Sequence, residues 1–88
     1  STFMSIAKYE YDEDLEIRKI LVGENSELAG KTISETKIRQ KSGATIIGIK
    51  KSDELITNPP ASVVLSPNDV IYAFGTGGQL DRLEELAV

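Results

Sequence analysis

Hydrophobic and polar positions change period several times along the chain, and each change marks an element. Leu15 to Val22 (LEIRKILV) alternates and is rich in strand formers, which predicts a first strand. The polar segment GENSELAGK follows, with Leu28 as its inward anchor. Thr32 offers a helix N-cap, and Glu35 three residues on completes a capping-box pattern. The helix is predicted to reach Lys41 or Ser42, with Ile33 and Ile38 inward. Gly43 stops it, because glycine tolerates the left-handed backbone just past a helix end. Ala44 to Lys50 (ATIIGIK) reads as the second strand, with Thr45, Ile47 and Ile49 on one face and Ala44, Ile46, Gly48 and Lys50 on the other. Both faces are mostly apolar or small, which predicts cover on both sides. Gly48 marks a bulge or a close backbone approach.

Lys51-Ser52-Asp53 reads as a hairpin turn into a short strand, Glu54 to Thr57. Asn58-Pro59-Pro60 must then break the ladder, since proline cannot donate and pushes Asn58 towards an extended backbone. Val63 to Leu65 is a brief extended piece, and Ser66-Pro67-Asn68-Asp69 has turn chemistry. Val70 to Phe74 forms the last strand. Gly75-Thr76-Gly77-Gly78 reads as a flexible link to a helix over Gln79 to Ala87, whose Leu80, Leu83 and Ala87 make one apolar stripe. Asp81 and Glu84 lie early in that helix, where its dipole favours acids. The predicted order is β-α-β-β-β-α: a small α+β domain over residues 15–88, its sheet packed with two helices.

Residues 1–14 (STFMSIAKYEYDED) show no sustained period and read as a linker or appended segment, with an apolar anchor such as Phe3 or Ile6. The acids Asp12, Glu13 and Asp14 read as a solvated cluster, because no glycine turn or spaced oxygen ligands follow to make a metal site.

Composition limits what such a domain does. A chain of 88 residues has room for one small domain, which buries a modest share of its surface, so pairing into a homodimer is expected. No cysteine means no disulfide framework, thiol nucleophile or thiolate metal site. No histidine removes the usual general base near neutral pH. Asp53 and Glu54 lie at a predicted turn, poor shelter for a raised carboxyl pKa. The chain reads as a non-enzyme that needs no cofactor or metal. A net charge of −4 opposes binding to nucleic-acid polymers. No apolar run approaches the roughly 18 residues of a membrane span, and no stretch reads as a signal peptide.

Two stretches imitate phosphate sites. Gly23 to Thr32 (GENSELAGKT) ends like a phosphate loop, but that motif needs a shorter gap before its Gly-Lys-Thr, and its first glycine would fall at Asn25. Thr32 is read as a cap instead. Gly75 to Gly78 precedes a helix, and a plain connection is the simpler reading.

The most informative stretch is Lys31 to Pro60, where one basic side chain, Arg39, sits between the end of a helix and the start of an apolar strand. Its features belong to a longer frame: Gly-Lys-Thr at a helix start, Ile-Arg at its end, a glycine and TIIGI strand, I-T-NP, L-x-x-x-D-x-I, and a closing G-x-x-x-x-L-x-x-L. In this order and spacing the fragments resemble the TrkA-C, or RCK-C, family over roughly residues 15–88. That family is the C-terminal regulatory subdomain of potassium channels and cation transporters. The resemblance implies a cytoplasmic domain that dimerises and biases a membrane-embedded channel or transporter subunit from the inner face of the membrane. In several bacterial members the dimer binds cyclic di-AMP between protomers, and a two-fold ligand fits the axis of an isologous dimer.

Carried over by position, Arg39 is the phosphate ligand, and Ile38, Ala44, Thr45 and Ile46 border the nucleotide. Thr45 would bond through its hydroxyl or backbone, and Asn58, Pro59 and Pro60 would form a wall against an adenine face. The residues alone leave alternatives open. Arg39 serves equally in a surface salt bridge, and Asn58-Pro59 suits turn chemistry better than ligand contact, although one corner can do both. The domain would then be a ligand-free assembly piece of a gating complex.

Overall fold

The computed structural model describes residues 14–88. The expected linker, with Phe3 and Ile6, lies outside the described residues except for Asp14. Strand β1 (Leu15–Leu21) leads through a looped segment to two short helices, α1 (Ile33–Thr36) and α2 (Ile38–Ser42). Strands β2 (Thr45–Lys51) and β3 (Glu54–Thr57) form a hairpin, and β4 (Val70–Thr76) runs into helix α3 (Gly77–Leu86). The sheet is antiparallel with order β1-β4-β2-β3. The last strand is therefore internal, as its near-continuous apolar run requires.

Register puts the core on one face of that sheet. Ile71 of β4 lies opposite Ile20 of β1 and Ile49 of β2, and all three are buried. Leu80, Leu83 and Ala87 press onto this face from α3, as the predicted stripe requires, while Leu28 and Leu65 close it from the connecting segments. Full burial of each such leucine contributes about 1.5–3 kcal/mol. Arg18, on the same face of β1, reaches α3 and donates to Asp81 at 2.7 Å and Glu84 at 3.1 Å, and also to Glu16. Asp81 first, and then Glu16, hold its guanidinium further above its already high ordinary pKa. The opposite face of the sheet is open: Ile17, Leu21 and Leu55 are each more than half exposed.

Several local expectations change. The first helix is broken at Lys37, whose backbone is left-handed (φ 55°, ψ 35°). Buried Thr36 accounts for the break. Its hydroxyl donates to the Ile33 carbonyl at 2.5 Å and accepts from the Ile38 N–H at 3.4 Å, taking a place the backbone would otherwise fill. In β2 the pairing shifts between Ile46 and Gly48, a bulge beside the strand glycine. Ile46 and Ile49 consequently face Ala73 and Ile71, while Ile47 is 38% exposed, so Ile47 and Ile49 do not share a face. The far side of β2 is also uncovered, at Thr45 and Lys50. Asn58 is left-handed (φ 46°), not extended, and its N–H donates to the Ile47 carbonyl at 2.9 Å. The bulge thus supplies the acceptor that holds the Asn-Pro corner.

The glycine-rich link is an ordered cap. Thr76 accepts from the Gln79 N–H at 3.3 Å, and the Gln79 side chain accepts from the Thr76 N–H at 2.9 Å. Helix α3 therefore begins two residues earlier than predicted, and Asp81 and Glu84 fall outside its first turn. The same glutamine explains two glycines. A Cβ at Gly43 would meet Gln79 Nε2 at 2.7 Å, and one at Gly75 would meet its Oε1 at 2.7 Å.

Ser66 to Asp69 makes the expected turn, with Pro67 second, Asn68 at φ 72° third, and the Asp69 N–H donating to the Ser66 carbonyl at 3.1 Å. The Asp69 carboxylate is buried; it accepts from the Ser66 N–H at 2.8 Å and from the Lys51 ammonium, tying the turn to the end of β2.

Candidate functional site

The capping box predicted from Thr32 and Glu35 is present, with bonds of 3.1 and 2.8 Å, and it sets the entry to α1. The Thr32 hydrogen bonds hold the Glu35 carboxyl below its ordinary range. The first N–H groups of α1 are committed to the returning chain: Ile33 donates to the Val63 carbonyl and Ser34 to the Ala61 carbonyl, both at 3.0 Å. These bonds clip the 58–65 segment against α1.

At the other end, Gly43 is left-handed (φ 80°) and its N–H donates to the Arg39 carbonyl at 2.9 Å. Buried Ser42 donates to the Ile38 carbonyl at 2.7 Å and accepts from the Ala44 N–H at 3.0 Å. Arg82 of α3 donates to the Ser42 carbonyl at 3.2 Å. Helix α2 and the start of β2 are thereby locked into a reverse corner.

Between these clips lies a cleft of about 430 Å³. Ile38 and Ala44, both nearly inaccessible, form its floor, with Ile46 half-buried beside them. Arg39 and Thr45 stand on the rim, and Asn58 and Pro59 form the facing wall. The structure therefore brings together all the candidate residues named from the sequence except Pro60. Pro60 does not line the cleft; its carbonyl accepts from the Val63 N–H at 3.1 Å and turns the chain back towards α1. Ile33, Ser34, Gln40 and Ala61 also line the cleft and were not anticipated. Their signal in the sequence is faint, because they reach the cleft only through the break at Lys37 and the clip at Ala61.

The cleft is electrostatically simple. Arg39 is its one charged lining residue, and no carboxylate lines it. Among the described residues the Arg39 guanidinium makes no salt bridge or hydrogen bond, which removes the surface ion pair as its explanation there. Nearby Lys41 is already paired with Glu27 at 2.9 Å, and that contact lowers the Glu27 carboxyl pKa. An apolar floor, an unengaged guanidinium and neutral polar walls suit a flat anionic ligand.

The phosphate-loop imitation is filled by its own backbone. The Gly30 N–H donates to the Leu65 carbonyl at 2.7 Å and the Lys31 N–H to the Leu28 carbonyl at 3.3 Å. Among the described residues, no helix is long and apolar enough to cross a membrane.

Comparison with known proteins fits this geometry. The family model described as the TrkA-C domain matches residues 17–88. The chain belongs to that family. This is a family of regulatory domains of channels and transporters, not of enzymes. The chain is 51% identical over 86 residues to the probable potassium channel protein 2 of Methanocaldococcus jannaschii, covering 98% of this chain and 25% of that protein. The chain thus spans about a quarter of the length of that curated relative.

Among solved structures, the TrkA-C domain here matches the RCK_C domain dimer of S. agalactiae BusR in complex with c-di-AMP. The TM-score is 0.76 at 30% identity, over 82% of this chain and 89% of that one. It also matches the RCK C domain of the potassium transport protein KtrA in complex with c-di-AMP, with a TM-score of 0.74 at 26% identity, over 97% and 98% of the two chains.

Proposed function

We propose that this TrkA-C domain is a cytoplasmic sensing module of a potassium channel or transporter, and that it works as a homodimer binding cyclic di-AMP across its two-fold axis. The observation that carries the reading is the cleft itself, where Arg39 stands unengaged over an apolar floor and no carboxylate lines the space. Each protomer's Arg39 would meet one phosphate. Ile38, Ala44 and Ile46 would border the sugar and base, Thr45 would donate from its hydroxyl, and Asn58 with Pro59 would flank the adenine. The likeness to two c-di-AMP-bound RCK_C domains supports the choice of ligand. Such a ligand shifts transport only by binding one arrangement of the two protomers more tightly than another. The membrane-embedded partner and the attachment to the inner face of the membrane belong to the same proposal.

Titration calorimetry and thermal melting of the 88-residue chain with cyclic di-AMP, ATP and divalent cations test it. The expected result is saturable binding of cyclic di-AMP at one ligand per two chains. The accompanying stabilisation is about 2.7 kcal/mol at a ligand concentration of about 100 times Kd. No response to any of these ligands would leave the domain as an assembly piece of a gating complex. A stoichiometry of one ligand per chain would remove the two-fold arrangement.

A further inference from the structure

Gln40 lines the cleft beside Arg39, yet the ligand reading gives it no task. The residue is exposed, and among the described residues its carboxamide makes no hydrogen bond, so the fold does not use it. It stands on α2, whose end is fixed by the Gly43 cap and the Arg82 bond to Ser42, and so it is presented from an anchored element. Resting on the cyclic dinucleotide reading above, we propose that Gln40 reads the purine and selects adenine over guanine.

The chemistry follows from the base edges. Adenine presents the N6 amino donor beside the N7 acceptor, and a carboxamide answers with an acceptor beside a donor. Guanine presents two acceptors, O6 and N7, on the same edge. A carboxamide satisfies one of them and sets its own oxygen against the other. Arg39 cannot make this distinction, because the two cyclic dinucleotides carry the same phosphates. The Ser34 and Thr45 hydroxyls on the cleft both donate and accept, so either base suits them. Asn58 carries the same amide as Gln40, but it stands in the wall beside Pro59, which in the reading above would flank the flat of the base rather than its edge.

The test is calorimetry of the 88-residue chain, Gln40→Ala and Gln40→Arg, each with cyclic di-AMP and cyclic di-GMP. The quantity read is the ratio of the two affinities, in which any general attraction between an added charge and phosphate cancels. The wild-type chain is expected to favour cyclic di-AMP. In the two-fold complex Gln40→Ala deletes two base contacts at once and is expected to lower that preference by at least about 30-fold, the lower bound for two bidentate base contacts. Gln40→Arg, whose fork pairs with O6 and N7, is expected to move the preference towards cyclic di-GMP. Exposure of Gln40 predicts unchanged melting of both variants without ligand.

If Gln40→Ala binds cyclic di-AMP and keeps the wild-type ratio within about threefold, the assignment of Gln40 is overturned while the ligand reading stands. If the wild-type chain binds neither dinucleotide, both are overturned.

Discussion

Replacing Arg39 with alanine should separate ligand binding from folding. The side chain is exposed and has no ion-pair or hydrogen-bond partner among the described residues, so its removal should change stability by no more than about 0.5 kcal/mol. In a two-fold complex the same substitution deletes two phosphate contacts at once. A hydrogen bond to a charged group contributes about 1.5–3 kcal/mol, so the pair is worth about 3–6 kcal/mol. Exposure and salt screening favour the lower end, which corresponds to a loss of about 100-fold in affinity. Arg39→Lys keeps the charge without the planar fork and should recover part of that loss. Calorimetry gives the affinities, and urea unfolding without ligand gives the stability. Arg39→Ala binding within about threefold of wild type would refute the phosphate role. A variant destabilised by more than about 1 kcal/mol would show that Arg39 serves the fold.

Three further outcomes test the scaffold. Lys51→Ala strips the countercharge from the buried Asp69 carboxylate; the Ser66 N–H still serves that group and Lys51 is partly exposed, so a loss of about 2–3 kcal/mol is expected in urea unfolding. A loss below about 0.5 kcal/mol would mean the pair does not anchor the turn. Thr76→Ala removes the α3 cap and should cost about 1 kcal/mol, lowering the melting temperature by about 4–8 °C, whereas a merely flexible link would show no change. Hydrogen bonding to Thr32 lowers the Glu35 carboxyl, and pairing with Lys41 lowers Glu27, from an ordinary value of 4.5. Their contributions are present above that value and are lost as pH falls through the depressed folded values, so melting temperature should decline in acid. Glu35→Gln keeps an acceptor for the Thr32 N–H without titrating and should flatten part of that decline; an unchanged acid profile would contradict the assignment.

The parts of the fold legible in the sequence are those fixed by a few neighbouring residues. Thr32 with Glu35, the Gly43 stop, and the Pro67-Asn68 turn each need only local geometry. The stripe of Leu80, Leu83 and Ala87 needs only helical period. Features set by a partner elsewhere in the chain were not legible. The bulge in β2 exists in the register with β4, so alternation alone misassigned Ile47 and Ile49. The left-handed Asn58 depends on a carbonyl which that bulge exposes. Gln79 belongs to a capping box beginning at Thr76, but the glycines around it masked the pattern.

The cleft divides in the same way, and its geometry says why. Ile33, Ser34, Ile38, Arg39 and Gln40 all line it, although an unbroken helix turning about 100° per residue would scatter these five around its whole circumference. No periodic reading could have placed them together. The left-handed residue at Lys37 resets the helix between Ser34 and Ile38 and lets both short segments face the same space. Lysine gives no cue for that backbone, and the cause lies one residue earlier, in the buried Thr36 hydroxyl that takes over the Ile38 N–H. Arg39 could be singled out because it stands next to a glycine-terminated corner. Gln40, its immediate neighbour, could be recognised only once the break had turned both towards the same cleft.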